Sequence, residues 1–143
     1  MEEMLAQVED ILHHEPYSKT EIVKLLDLSN EEELFQLCQV SDHVKVYETF
    51  ELHKRATHVF GEAKRVYDFK KVCDDTALQT SGQGDSNCVQ GSDALIKLGE
   101  LMFASHESCA KMYDCSHPQL DTLVNLSKQH GALGARYNMF HSI

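Results

Sequence analysis

From Phe50 to about Asp74, the residues Leu52, Ala56, Val59, Phe60, Ala63, Val66, Tyr67 and Cys73 fall on one side of a 3.6-residue period, and Lys54, Arg55, Lys64, Arg65, Lys70 and Lys71 fall on the other. At about 1.5 Å per residue such a helix is as long as a small domain is wide, so the rest of the chain has to be laid along it. A second pattern of the same kind, Leu95, Leu98, Met102, Cys109, Met112 and Tyr113, predicts another long helix over roughly Asp93 to Asp114. Between the two, TALQTSGQGDSNCVQGS (Thr76 to Ser92) is rich in Gly, Ser and Gln and has almost nothing to bury, which predicts a flexible polar loop. Gly61, inside the first long helix, costs about 1 kcal/mol against alanine there, which points to close packing at that position.

Shorter elements flank these two. Met4, Leu5, Val8, Ile11 and Leu12 recur at helical spacing behind Glu2 and Glu3, and the helix should end before Pro16, which disfavours the α conformation at Glu15. His13 and His14 at its end read as partners of the helix dipole. Ser18 with Glu21, and Ser29 with Glu32, have the spacing of capping boxes and predict two short helices in tandem. HVKVYETF (His43 to Phe50) alternates enough to suggest a short strand. Towards the end, Ser116 or His117 reads as an N-cap with Pro118 in the first turn; Leu120, Leu123, Val124 and Leu126 give the apolar face, and Gly131 the C-terminal stop.

The 143 residues are one domain's worth of chain. Lys and Arg number 13 against 23 Asp and Glu, a net charge of -10, and the basic residues are scattered, which argues against a nucleic-acid surface. No apolar run approaches the ~18 residues of a membrane span, and the acidic start MEEMLAQVED is unlike a signal peptide. The reading is a soluble, cytoplasmic chain with neither nucleic acid nor membrane as partner. Five cysteines at irregular spacing, without a CxxC, suggest reduced thiols.

One stretch has the composition of a site. SHESCAKMYDCSHPQLD (Ser105 to Asp121) holds two His, two Cys and two Asp. His106 and Cys109 lie three apart on one helix, with Cys115 and His117 close behind, so four metal ligands are conceivable from spacing alone. Cys109, however, falls on the apolar stripe with Met102 and Met112, where a thiol behaves as a small hydrophobe, and no zinc knuckle has this spacing. A Cys-His nucleophile fits less well, because Asp114, Ser116 and His117 are needed to end one helix and cap the next. Two helices and a capped turn account for the residues, with no metal. The basic side formed by Lys54, Arg55, Lys64 and Arg65 likewise reads as a solvated face before it reads as an anion site.

The run LGELMFASHESCAKMYDCSHPQLDTLVNLSKQHGALGAR (Leu98 to Arg136) resembles the C-terminal helical segment of galactokinases. These belong to the family of small-molecule kinases (GHMP) that also holds homoserine, mevalonate and phosphomevalonate kinases. The resemblance is carried by Gly99-Glu100-Leu101-Met102, Ser105-His106, Tyr113, Ser116, Pro118, Leu120-Asp121 and Gly134-Ala135-Arg136. Ser108-Cys109, Met112-Tyr113 and Cys115-Ser116 bring it closer to N-acetylgalactosamine kinase than to ordinary galactokinase. It continues upstream in EPY, RATHVFGEAKRV (Arg55 to Val66) and FKKVC (Phe69 to Cys73).

The resemblance implies a mainly α piece of the C-terminal domain of a two-domain α+β kinase. Residues 1-75 and 93-136 would be kinase-like helical segments, 76-92 a flexible loop and 137-143 a divergent tail. It also implies that the parent phosphorylates the C1 hydroxyl of galactose or N-acetylgalactosamine with ATP and Mg. The parent's sugar-recognition segment, phosphate loop and catalytic Asp with its partner Arg find no counterpart here. SGQGDS (Ser81 to Ser86) resembles a phosphate loop only in composition, and neither GxGxxG nor GxxxxGK[ST] occurs. Gly134, Ala135 and Arg136 lead towards a second glycine loop that YNMFHSI replaces, so no cofactor site is intact and no catalytic residue is assigned. The expectation is an internal piece of such a kinase, as alternative splicing or an incomplete gene model would produce, inactive alone and binding no cofactor. The alternative is a non-enzymatic helical module that docks a protein partner through apolar helix faces left without a sheet.

Overall fold

The computed structural model describes residues 1–80 and 88–137. The fold is mainly α. In chain order the elements are α1 (Glu2–Ile11), β1 (Tyr17–Ser18), α2 (Lys19–Leu25), α3 (Glu31–Leu37), β2 (Thr49–Phe50), α4 (Leu52–Thr80), α5 (Cys88–Ser108), a π-helical turn (Cys109–Tyr113) and α6 (Pro118–Gln129). The long helices α4 and α5 pack on one another, and α1 lies against α4. Among the described residues no helix is long and apolar enough to cross a membrane.

The N-terminal half condenses around Tyr17, whose side chain is 1 % exposed. Pro16 turns the chain out of α1, and β1 then pairs antiparallel with β2, Tyr17 opposite Phe50 and Ser18 opposite Thr49. The Tyr17 hydroxyl accepts the His13 N–H at 2.9 Å, and the His13 ring stacks on the phenol with centroids 3.8 Å apart. His13 thus clamps the turn, and its Nε2 meets the Glu21 carboxylate at 3.1 Å. Ile22 and Leu34 complete this small core, backed by Leu12, Val23, Leu28, Phe50 and Leu52.

Capping follows the sequence in one place and shifts in another. Ser18 caps α2, its hydroxyl accepting the Glu21 N–H at 3.2 Å, while the Glu21 carboxylate turns to His13 instead of closing the box. The cap of α3 is Asn30 and not Ser29: its Oδ1 accepts the Glu33 N–H at 3.0 Å, and the Glu33 carboxylate accepts the Ser29 N–H at 2.8 Å. Asparagine is at least as good an N-cap as serine, and Glu33 serves the new frame where Glu32 was expected to serve the old. His117 caps α6 through Nδ1, with Pro118 at the first position.

Three helices end in the same motif. After α6, Gly131 at φ 86° leaves its N–H on Lys128 O and the Ala132 N–H on Ser127 O, a Schellman pair. Asp27 (φ 53°) after α2 and Gln39 (φ 50°) after α3 take the same left-handed position without being glycine. Gln39→Gly is therefore expected to raise the unfolding free energy by about 0.5–1 kcal/mol, through relief of the left-handed strain. A urea midpoint that does not rise would show that the Gln39 side chain compensates for its backbone.

Three expectations need correction. The strand over His43 to Phe50 is confined to Thr49–Phe50; Val44 N bonds to Ser41 O and Tyr47 N to Val44 O, so the preceding residues turn. Lys19 holds those turns, its ammonium donating to Lys45 O at 2.9 Å. The loop expected over 76-92 is helical at both ends: α4 continues through Thr80 and α5 begins at Cys88. A helix already nucleated adds good formers such as Ala77, Leu78 and Gln79 at little cost. The centre of that loop, including Ser81 to Ser86, and residues 138–143 of the tail lie outside the described residues. Third, the apolar stripe of α4 is buried only in part: Leu52, Ala56, Phe60 and Ala63 are half-buried, Val59, Val66 and Tyr67 are exposed, and the fully buried side chains of the helix are His53 and His58.

Candidate functional site

The contact between α4 and α5 is polar. Glu62 of α4 lies at its centre: Ser105 of α5 donates its hydroxyl to Oε2 at 2.8 Å, and Arg65, one turn on, donates Nε–H to Oε1 at 2.7 Å. Arg136, from the segment after α6, reaches the same Oε2 at 3.3 Å. Burial alone would push the Glu62 carboxyl up, but the Ser105 hydroxyl and the guanidinium groups of Arg65 and Arg136 together outweigh it and hold the group below its ordinary value. One turn away His58 Nδ1 meets Ser108 Oγ at 2.9 Å, and burial lowers its affinity for a proton. Beside this row, Val66, Phe69, Leu101 and Met102 close the apolar side of a cleft of about 190 Å³.

The π-helical turn is part of the same construction. The Met112 carbonyl lies in the last turn, where a helix leaves its carbonyls without intrahelical partners, and Arg55 of α4 donates to it at 2.6 Å while lying over the Tyr113 ring at 5.6 Å. Asp114 at φ 58° then ends the helix. Most of the basic side of α4 is thereby engaged: Arg55 holds the turn, Arg65 holds Glu62, and Lys64 pairs with Asp68 at 2.6 Å. Lys70 pairs with Asp74, and Lys54 with Glu51 at 3.1 Å. Gly61 packs against the guanidinium of Arg65, which would lie 3.3 Å from an added Cβ.

Two glycines bring Arg136 into place. Gly99 of α5 and the Leu133–Gly134 backbone cross so closely that a Cβ on Gly99 would lie 1.7 Å from Leu133 O, and one on Gly134 would lie 2.6 Å from Gly99 Cα. Gly134, Ala135 and Arg136 thus run across α5, and the Tyr137 N–H comes within 3.5 Å of His106 Nδ1. His106 is buried, with Nε2 3.1 Å from Asp121 Oδ1, the oxygen that also accepts the Ser116 hydroxyl at 2.5 Å.

Serine, histidine and aspartate are therefore close together, but not as a catalytic triad. A triad needs the histidine between the other two, as base to the hydroxyl. Here His106 and Ser116 both point at the carboxylate of Asp121, and Ser105 points at Glu62. Burial, with Cys115 beside it, pushes the Cys109 thiol up to about 11, away from the range of a thiolate nucleophile at neutral pH. His106, Cys109, Cys115 and His117 do not converge on a common point; among the described residues, donors that do are Glu9, His14 and His53.

Sequence reading passed over Glu62, which looked like one acid among many on a charged helix face, and over Arg136 as a partner for it. Both lie inside the motifs that carry the family resemblance, as do Ser105 and His106, and that was the available signal. What these residues build is a latch of complementary charges and hydrogen bonds between α4, α5 and the segment after α6.

Comparison with known proteins narrows the class. The galactokinase of Dictyostelium discoideum is 36% identical over 122 residues, covering 84% of this chain and 24% of that protein. The galactokinase of Candida albicans is 28% identical over 138 residues (95% and 25%), and that of Saccharomyces cerevisiae 29% over 135 residues (93% and 23%). No protein-family model matches. The chain spans about a quarter of the length of these curated relatives. Likeness along most of the chain supports the galactokinase family.

Proposed function

We propose that this chain is helical scaffold from the C-terminal half of an ATP-dependent galactokinase of the small-molecule (GHMP) kinase family, nearest its N-acetylgalactosamine branch. The observation that carries the reading is the 36% identity along 84% of the chain. In the complete enzyme, galactose or N-acetylgalactosamine would be phosphorylated at its C1 hydroxyl by ATP with Mg, in the cytoplasm. The α4–α5 pair would support that site, and the Gly99–Gly134 crossing would fix the direction in which the chain leaves Arg136. Phosphoryl transfer rests on a backbone cradle, a cation and a positioned hydroxyl, and the 143 residues contain no motif for the cradle. The chain alone is accordingly expected to release no ADP from MgATP in the presence of either sugar. Turnover above the protein-free rate would refute that part of the proposal.

The exposed apolar side chains bear on the same reading. Val66, Tyr67 and Leu95 are each more than half exposed, as expected of faces that the rest of a kinase would cover. The alternative, a helical module docking another protein, draws on the same faces. A chimera separates the two: this chain's matching stretch is placed into the Dictyostelium discoideum galactokinase in exchange for the homologous 122 residues. Retained galactose phosphorylation supports the scaffold reading, and a folded, inactive chimera favours the docking module.

A further inference from the structure

We infer that Glu9, His14 and His53 form a binding site for a divalent transition-metal ion of the zinc type. The three come from three places: Glu9 from the last turns of α1, His14 from the turn after it, and His53 from the first turn of α4. One donor atom of each lies within 4.8 Å of the others. Glu9 Oε1 is 3.3 Å from His53 Nε2, close to the ~3.3 Å edge of a tetrahedron whose metal–donor bonds are about 2.0–2.1 Å. His14 Nε2 is 3.8 Å from Glu9 Oε2 and belongs to an exposed side chain, so it closes on the ion by a small rotation.

The state of His53 points to a ligand. Its side chain is 8 % exposed, and its buried Nε2 makes no hydrogen bond although the Glu9 carboxylate is near. A buried ring nitrogen near a carboxylate, with a second imidazole tilted beside it at 4.1 Å between centroids and no hydrogen bond made, is an arrangement a metal can complete. Two imidazoles and a carboxylate suit zinc and its neighbours, whereas calcium and magnesium require oxygen ligands. His13 is not a fourth donor: its ring stacks on Tyr17, and its nitrogens face Glu15 at 3.4 Å and Glu21 at 3.1 Å. Water would take the remaining position. The ion would tie the end of α1 to the start of α4.

The test is a titration of the full 143-residue chain with CoCl2 at neutral pH, followed by the visible d–d absorption of four-coordinate cobalt and by displacement with ZnCl2. The expected result is one saturable site. His14→Ala and Glu9→Gln alter exposed side chains and should leave the helical circular dichroism intact. Each should weaken binding by about tenfold or more, since even loss of an outer-shell partner costs that much, while His130→Ala should leave it unchanged. The chain has nine histidines, so failure to saturate at one ion would overturn the assignment. Equal affinity in His14→Ala and Glu9→Gln, or equal loss in His130→Ala, would do the same.

Discussion

Gly99→Ala is expected to unseat the segment that follows α6. The added Cβ would lie 1.7 Å from Leu133 O and 2.3 Å from Leu133 C, which are backbone atoms, so no rotamer change relieves the overlap. Either α5 moves off or residues 133–137 lift, and the second costs less because fewer contacts are broken. Alanine returns about 1 kcal/mol of helix propensity, against which stand the overpacking and the loss of the Arg136–Glu62 bond. The net effect is a loss of about 2 kcal/mol in unfolding free energy. With a slope of roughly 1–2 kcal/mol/M, the urea midpoint should fall by about 1–2 M, and trypsin should cut sooner after Arg136. Gly131→Ala is the comparison: its Cβ would meet nothing within 4 Å, and only the left-handed φ of 86° opposes it, for about 1 kcal/mol. If Gly99→Ala were as stable as the wild type, or more stable through propensity, the crossing would not exist in solution.

The same two glycines show how far the sequence could be read. Gly131 was legible because its reason is local: a helix pattern ends there, and the next residue must turn left-handed. Gly99 was not, because its reason is a backbone 34 residues downstream that no periodicity reveals. The helices themselves were legible, since α4, α5 and α6 follow spacing, caps and Pro118, while their ends near residues 76–92 depended on propagation into a segment whose composition suggested a loop. Which side of α4 is buried was misread for a physical reason. Hydrophobic spacing identifies the face to be covered, and in this chain that face stays open at Val59, Val66 and Tyr67 while His53 and His58 are buried and Glu62 meets α5. The cluster around Glu62 was visible only as motif residues of unknown use, because ion pairs between distant segments leave no pattern along the chain.

Glu62→Gln tests that cluster. Glutamine keeps the size and can still accept from Ser105, but it removes the charge that two arginines share. Breaking a buried pair costs about 3–5 kcal/mol, and because the Glu62 and Arg65 side chains are each about one-fifth exposed, solvent reduces this to about 2–3 kcal/mol. Acidity gives the distinguishing readout. The folded carboxyl is held below its ordinary 4.5, so its stabilisation is fully present above pH 4.5 and is lost as pH falls through the depressed value. His58 is also depressed, from 6.5; protonating it opposes the fold, so stability begins to decline as pH drops below 6.5 and declines further towards the folded value. The wild type should therefore weaken in two stages, beginning near pH 6.5 and deepening below 4.5. In Glu62→Gln the contribution of this group to the second stage should vanish. The first should deepen, because the Glu62 charge is what helps His58 hold a proton. A variant whose urea midpoint and pH profile both match the wild type would mean that Glu62 is an ordinary surface acid, and that Arg136 is docked by the Gly99–Gly134 crossing alone.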